Sequence, residues 1–287
     1  MAITSADVKL LREKTGAGMM DCKRALEETG GDMEKAVDYL RKKGAATAEK
    51  RAGRQANEGI VITRLINNGS GGVIVEINCE TDFVARSDDF KNFAASVATT
   101  IEMNQPDSVE KLLPLPYHNG RIVADALSDL IGKIGEKIEI RRFEVLNAKA
   151  SLIESYTHMG SKIGVLVELA SNNNTPAHHV LARDIAMQVA AMNPSVISRE
   201  KVKKDTVEHE LEIYRQQAKN EGKPDQVVDK IANGRLEKYF QEVVLLEQSF
   251  IKDAAKTIKD VVQETSAKLN DTISIRQFKR YQLGDEK

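Results

Sequence analysis

Tryptophan is absent from the 287 residues, and aromatics as a whole are scarce, with seven Phe and six Tyr. An aromatic side chain in so sparse a set is either a local core plug or a contact residue. Cysteine is limited to Cys22 and Cys79, which excludes a disulfide framework and points to a reducing compartment. No apolar run approaches the roughly 20 residues needed to span a bilayer. The start, Met1 to Asp7, carries neither a basic segment nor an apolar one, so no export signal is expected. Neither sign of charge dominates: 42 Lys and Arg stand against 43 Asp and Glu. No global field therefore asks for nucleic acid or a membrane surface, and neither is expected as a partner.

Catalytic and ligand-binding signatures are missing as well. The glycine-rich Gly69-Ser70-Gly71-Gly72 lacks the lysine of a phosphate loop and reads as a hairpin turn, so no direct nucleotide binding is expected. The five His (118, 158, 178, 179 and 209) do not make a metal signature. His178 and His179, adjacent on a helix, face about 100° apart and do not chelate one ion easily. Cys79 sits near Asp82 with no His close in sequence to activate it, so a buried thiol is expected. The rival, an enzyme using Cys79, predicts loss of activity on thiol alkylation. No Gly-x-Ser-x-Gly or paired-carboxylate pattern stands out. The expectation is a protein that is not an enzyme and needs no cofactor or metal of its own.

What is present is a globular composition, 41% hydrophobic and 30% charged, with room for two or three cores. Residues 1–40 read as a three-helix docking module. Val8, Leu10 and Leu11 line a first helix that stops near Thr15-Gly16-Ala17-Gly18. Met19, Cys22, Ala25 and Leu26 follow at helical spacing. Gly30-Gly31-Asp32 breaks that helix and caps a third, lined by Ala36, Val37 and Leu40. Residues 41–58 form a basic linker. Arg41, Lys42, Lys43, Lys50, Arg51 and Arg54 have no interleaved aromatic for base stacking, so a solvated helical stretch is expected over a phosphate-binding one.

Beyond it lies a faint internal repeat. In 59–148, Ile60–Ile66 and Val73–Ile77 flank an Asn/Gly turn as a hairpin. A helix carrying Phe90, Phe93, Val97 and Ile101 follows, then a second near 121–131 and a closing strand at Ile138–Phe143. In 149–198 and 238–287 the order returns: a hairpin from Ser151–Tyr156 and Ile163–Leu169, a helix over Val180–Ala191, a late helix through Ile258, Val261, Val262 and Leu269, and a strand at Ile273–Phe278. The closing strands share Ile-x-Ile-Arg-x-Phe. The second copy carries an insertion, 199–237. Val207, Leu211, Tyr214 and Ala218, then Val228, Ala232, Leu236, Tyr239 and Val243, are spaced as an antiparallel helical hairpin with a coiled-coil seam.

Between strand and helix of the first copy stands Asn78-Cys79-Glu80-Thr81-Asp82-Phe83-Val84, an acid and an aromatic side by side past a strand end. Composition alone leaves Phe83 open between plug and contact.

Two stretches make the chain resemble a known family. Arg12-Glu13-Lys14-Thr15-Gly16-Ala17-Gly18-Met19-Met20-Asp21-Cys22-Lys23 and Glu76-Ile77-Asn78-Cys79-Glu80-Thr81-Asp82-Phe83-Val84-Ala85 look like the two signatures of elongation factor Ts. Lys133–Glu136, Gly164–Glu168, Asn220–Pro224 and Leu245–Gln248 match as well, in order along essentially the whole chain. The resemblance implies an α+β fold: a UBA-like three-helix module, then two related subdomains with small antiparallel sheets. It implies guanine nucleotide exchange on elongation factor Tu in the cytoplasm. Arg12, Met19 and Met20 would dock on the GTPase domain, Met20 more than Met19, whose alternative is helix core. Thr81, Asp82, Phe83 and Val84 would reach beside the nucleotide and dislocate its Mg²⁺. Ile134, Gly135 and His158 would make flanking contacts. The helical hairpin would be a dimerisation element, giving a homodimer, or an auxiliary contact.

Departures are visible. Met159 follows His158 where the family commonly has Gly, and Lys162 stands where Arg is common, losing any bidentate contact. A C-terminal helical extension of some members is not expected, and the initial Met favours a bacterial cytosol over an organelle. The alternative function is a cytosolic adaptor whose three-helix module binds peptides or ubiquitin-like folds.

Overall fold

A computed structural model describes residues 3–118, 120–148 and 151–285. The boundary expected at 148/149 therefore touches residues outside the described set.

Three helices open the chain: α1 (Ser5–Thr15), α2 (Met19–Glu28) and α3 (Met33–Arg51). A Thr4/Asp7 capping box starts α1, Gly16 at φ +70° ends it, and the Asp32 carboxylate accepts from the Glu34 and Lys35 N–H groups to start α3. Val8, Leu11, Cys22, Ala25, Leu26 and Ala36 form their core. Leu10, expected on that face, is exposed. Val8 and Leu11, three apart, already fill the stripe, and Leu10 lies one position around from it.

The expected division at residue 40 falls inside α3, which runs on without a break through 41–51. Most of this stretch is exposed, but one face of it packs against the protein. Gly44 is buried against α7 (Val123–Ile134, described below), and a Cβ on Gly132 would lie 3.0 Å from the Gly44 Cα. Two glycines let the helix backbones touch, Ala48 packs on the neighbouring core, and Arg41 pairs with Asp125 at 2.7 Å.

β1 (Glu58–Ile66) and β2 (Gly71–Cys79) form an antiparallel hairpin. Its turn uses Asn67, Asn68 and Gly69, all at positive φ, the conformation these residues tolerate best. The chain continues through α4 (Asp82–Arg86), α5 (Asp88–Asn104), α6 (Val109–Leu112) and α7 to β3 (Ile138–Asn147), which pairs with β2. β4 (Ser151–Thr157) and β5 (Ile163–Ala170) form the second hairpin, and α8 (Pro176–Met192) follows. Helices α9 (Lys204–Asn220) and α10 (Asp225–Val243) make the inserted hairpin. A two-stranded ribbon, β6 (Ser249–Phe250) with β7 (Asp253–Thr257), leads through α11 (Ile258–Leu269) to β8 (Ser274–Gln282), which pairs with β5.

The two three-stranded sheets run β1-β2-β3 and β4-β5-β8. Along β2 the side chains alternate. Val73, Val75, Ile77 and Cys79 meet Phe90, Phe93, Val97 and Ile101 of α5, while Ile74 meets Ile153 and Leu166 of the other sheet. Both faces are covered, so every residue of β2 is buried, the polar Glu76 and Asn78 included. Fully burying a side chain such as Phe90 stabilises by about 2 kcal/mol.

In the inserted hairpin Phe240, rather than Tyr239, takes the buried seam position after Leu236, with Arg199 stacked 4.2 Å from its ring. The step from 236 to 240 keeps the helical period, and Tyr239 packs at the edge. Among the described residues no helix is long and apolar enough to cross a membrane.

Candidate functional site

The Asn78–Val84 segment is built by the end of β2. Cys79 is fully buried, and its Sγ contacts the Thr81 carbonyl at 3.2 Å. Burial, with the Glu136 charge second, pushes the thiol up to about 12, away from the thiolate form that nucleophilic attack needs. Thr81, in extended backbone, caps α4, and its hydroxyl accepts from the Val84 N–H at 3.4 Å. Val84 and Ala85 turn inward onto the core that holds Phe90. Phe83, one position around, is left 78% exposed. The plug position is filled by its neighbours, so the ring faces solvent, with the Arg86 guanidinium 5.5 Å from its centroid. Arg86 also pairs with Asp82, one turn away.

The other expected contacts converge on this end of the first sheet. Ile134 packs on the same core, and Gly135, at φ +80°, closes α7 in the left-handed conformation that glycine adopts without strain. Glu136 next to it accepts from the Thr81 N–H at 3.0 Å and from the Thr81 hydroxyl at 2.8 Å. Glu80 accepts from the Lys137 N–H at 2.6 Å and pairs with Arg51 and Arg54 at the end of α3. The Lys137 bond, outweighing the cost of desolvation, holds the Glu80 carboxyl below its ordinary range. Neither glutamate was singled out from sequence. Their partners lie 55 and 57 residues away, beyond any local pattern.

His158 lies in the β4–β5 turn, exposed, its Nδ1 2.9 Å from the Tyr156 hydroxyl. The turn is pinned to β1: the Val61 N–H donates to the Ser161 carbonyl at 2.6 Å, and Lys162 reaches Glu58 at 3.1 Å. Glu58 pairs with Cys79 across the β1–β2 ladder, so this turn sits at the Thr81 end. Gly160 and Ser161 take positive φ there, and Met159 points out, 89% exposed.

On the three-helix module Arg12 is exposed, as are both Met19 and Met20; Met19 does not enter the helix core. The two methionines, Val8, Lys9 and Lys23 line an apolar groove of about 400 Å³. A second cleft of about 400 Å³ separates the module from α7, where Lys133 lies against Gly16. Its cations are largely compensated: Lys43 by Asp21, Arg41 by Asp125, Arg121 by Asp129 and Lys133 by Asp89. Most of the basic 41–54 stretch is thus tied up in ion pairs.

No group of His, Cys, Asp and Glu able to hold a metal ion occurs among the described residues. His178 and His179 diverge, the first bridging Thr175 and Asp271 and the second reaching Glu154. The end of the first sheet thus presents one exposed ring, one acid and flanking turns.

Comparison with known proteins agrees on one family. The family profile described as Elongation factor TS matches residues 80–285. Elongation factor Ts of Prosthecochloris aestuarii is 52% identical over 286 residues, spanning 98% of this chain and 99% of its own. The protein of the same name from Chloroherpeton thalassium is 50% identical over 287 residues, spanning 99% of each. That of Clostridium perfringens is 48% identical over 283 residues, covering 99% of this chain and 93% of its own.

Proposed function

The chain belongs to the elongation factor Ts family, and from that premise we propose that it is a guanine nucleotide exchange factor for elongation factor Tu. It docks on the GDP-bound GTPase, and the Thr81–Val84 turn dislocates the bound Mg²⁺ so that GDP leaves and GTP enters. The observation that carries this reading is Phe83, 78% exposed on a capped helical turn whose neighbours face inward. A large ring held in water on a firm support gains free energy only by entering a partner, about 2 kcal/mol for full burial.

The mechanism needs no covalent step. Mg²⁺ demands near-ideal octahedral geometry, so a small displacement of its surroundings weakens it sharply. Phe83 wedges into an apolar contact of the GTPase. Asp82 exchanges its bond to Arg86 for a donor of the partner. Coupling is reciprocal: whatever factor the exchange protein takes from nucleotide affinity, nucleotide takes from its own. Each tenfold of that coupling requires about 1.4 kcal/mol. Arg12, Met19 and Met20 dock the three-helix module, and Ile134, Gly135 and His158 flank the wedge. The helical hairpin acts as a dimerisation or auxiliary contact element. The site of action is the cytosol.

The test is release of a fluorescent GDP analogue from elongation factor Tu with catalytic amounts of this protein. Wild type accelerates release, and Phe83→Ala slows it roughly thirtyfold, the equivalent of about 2 kcal/mol, with the thermal midpoint unchanged. Normal exchange by that variant removes the wedge role. No acceleration by wild type removes exchange itself and favours the adaptor reading.

A further inference from the structure

Two carboxylates beside the wedge have no part in the mechanism above. Glu136 receives two hydrogen bonds from Thr81, and Glu80 receives one from the Lys137 N–H. Residues 80–81 and 136–137 therefore exchange side-chain-to-main-chain bonds, a reciprocal clasp between the turn after β2 and the turn before β3. Glu80 extends the clasp to Arg51 and Arg54. Three pieces meet in it: the wedge turn, the Ile134–Gly135 turn, and the end of the helix that begins in the docking module.

We propose that Glu136, with Glu80 as its reciprocal partner, is the positioning residue that holds these three pieces as one rigid face and so fixes the direction of Phe83. The inference rests on the exchange reading. Its physical ground is that Val84 and Ala85 anchor the inner side of α4, while polar bonds fix its start at Thr81. Helix α4 has five residues, too few to persist without tertiary support. The Thr81 hydroxyl caps it with a long bond to the Val84 N–H. Glu136 improves that cap: by accepting the hydroxyl proton it leaves the oxygen lone pairs turned toward Val84, and a charged acceptor polarises the chain of bonds. The ring has Arg86 over it and no place in the core, so its direction is inherited from the backbone of α4. Without the clasp, Thr81 keeps neither its main-chain nor its side-chain acceptor, and the turn samples orientations in which docking proceeds but the wedge misses.

The prediction is a split in kinetics. GDP release from elongation factor Tu is measured against concentration of the full chain. Glu136→Ala lowers the maximal rate about tenfold or more, the scale of losing a charge-assisted hydrogen bond. The half-saturating concentration moves far less, because Arg12, Met19 and Met20 still dock. Glu136→Gln recovers most of the rate: its amide oxygen accepts from the Thr81 N–H while its NH₂ donates to the Thr81 hydroxyl. In a Phe83→Ala background, Glu136→Ala brings no further loss, since its effect runs through that ring. Glu136→Asp, one methylene too short for both bonds, replaces the alanine variant in the same cycle if thermal melting shows alanine to unfold.

Three results overturn the proposal: full activity of the alanine or aspartate variant, equal losses with and without Phe83, or a change in half-saturation alone. Each is read with wild type active, which separates it from failure of the exchange reading. An inactive wild type overturns both.

Discussion

Strands β2 and β5 are two versions of one design. The first reads Gly72-Val73-Ile74-Val75-Glu76-Ile77 and the second Gly164-Val165-Leu166-Val167-Glu168-Leu169. Both ladders to the closing strand slip register just after the glutamate. The two glycines answer each other: a Cβ on Gly72 would press on Ile153 and Leu166, and one on Gly164 on Val61 and Thr63. In each copy a carboxylate from the connection before the closing strand holds the turn after the central strand. Glu136 does this for Thr81, and Asp271 for Asn172, Asn173 and His178. The scaffold is shared; the cargo of the turn is not. The first turn carries Phe83 into solvent, while the second is a polar Asn-rich cap. The two turns are held in the same way and differ in what they carry: Phe83 in the one proposed to act on a partner, asparagines in the other.

The largest expected asymmetry lies in the paired glutamates. Glu76 is fully buried and bonded to Arg142 at 2.7 Å, itself stacked 4.2 Å from Tyr281, and it also receives the Gly284 N–H. Glu76→Leu leaves that cation uncompensated and destabilises by about 3 kcal/mol or more in urea melts. Glu168 is bound by Ser151, Gln277 and the exposed Arg276. Glu168→Leu removes an acceptor from neutral groups and from a cation that is half exposed, for about 1–2 kcal/mol. Equal losses would mean that the copies are energetically as well as geometrically alike.

The glycine pair sharpens the comparison at a smaller scale. The Gly164 Cβ would come 2.6 Å from Val61, against 3.0 Å from the nearest atoms for Gly72. Gly164→Ala costs about 1–3 kcal/mol through overpacking between the sheets. Gly72→Ala costs less than about 1 kcal/mol, because side-chain tips there give way and the unfolded chain loses entropy. A reversed order in thermal melts would show that the seam relaxes toward the first sheet.

The smallest effect concerns acid. Desolvation works against the Asp271 charge, but bonds from the Asn172 and Asn173 main chain and amides and from His178 outweigh it, holding the carboxyl at about 2 against an ordinary 3.8. A depressed folded value stabilises above the ordinary one and fades as pH falls from about 4 to about 2. The difference in urea midpoint between wild type and Asp271→Asn should shrink across that window. A constant difference would remove the clasp of the second copy.

Much of this molecule is legible along the chain. The alternation of Val73, Val75 and Ile77 and the helical spacing of Phe90, Phe93, Val97 and Ile101 each named the faces that pack, because period and burial are local properties. Misreadings came where a neighbour distant in sequence decided. Helix α8 begins at Pro176 rather than near Val180, because Thr175, His178 and Asp271 complete its first turn. Helix α3 outruns the expected linker because Gly132 receives Gly44. The glutamates around Thr81 looked like surface acids because their partners arrive from another part of the fold.

By itself the sequence determined the family, the α+β order of elements and the presence of one unusual aromatic turn. Composition left Phe83 between plug and contact, and the resemblance turned it outward. Only the tertiary structure shows the plug position filled: Cys79, Val84 and Ala85 occupy the core beneath the turn, so no space remains for the ring. Close packing admits one occupant per site, and the residue left over faces the solvent.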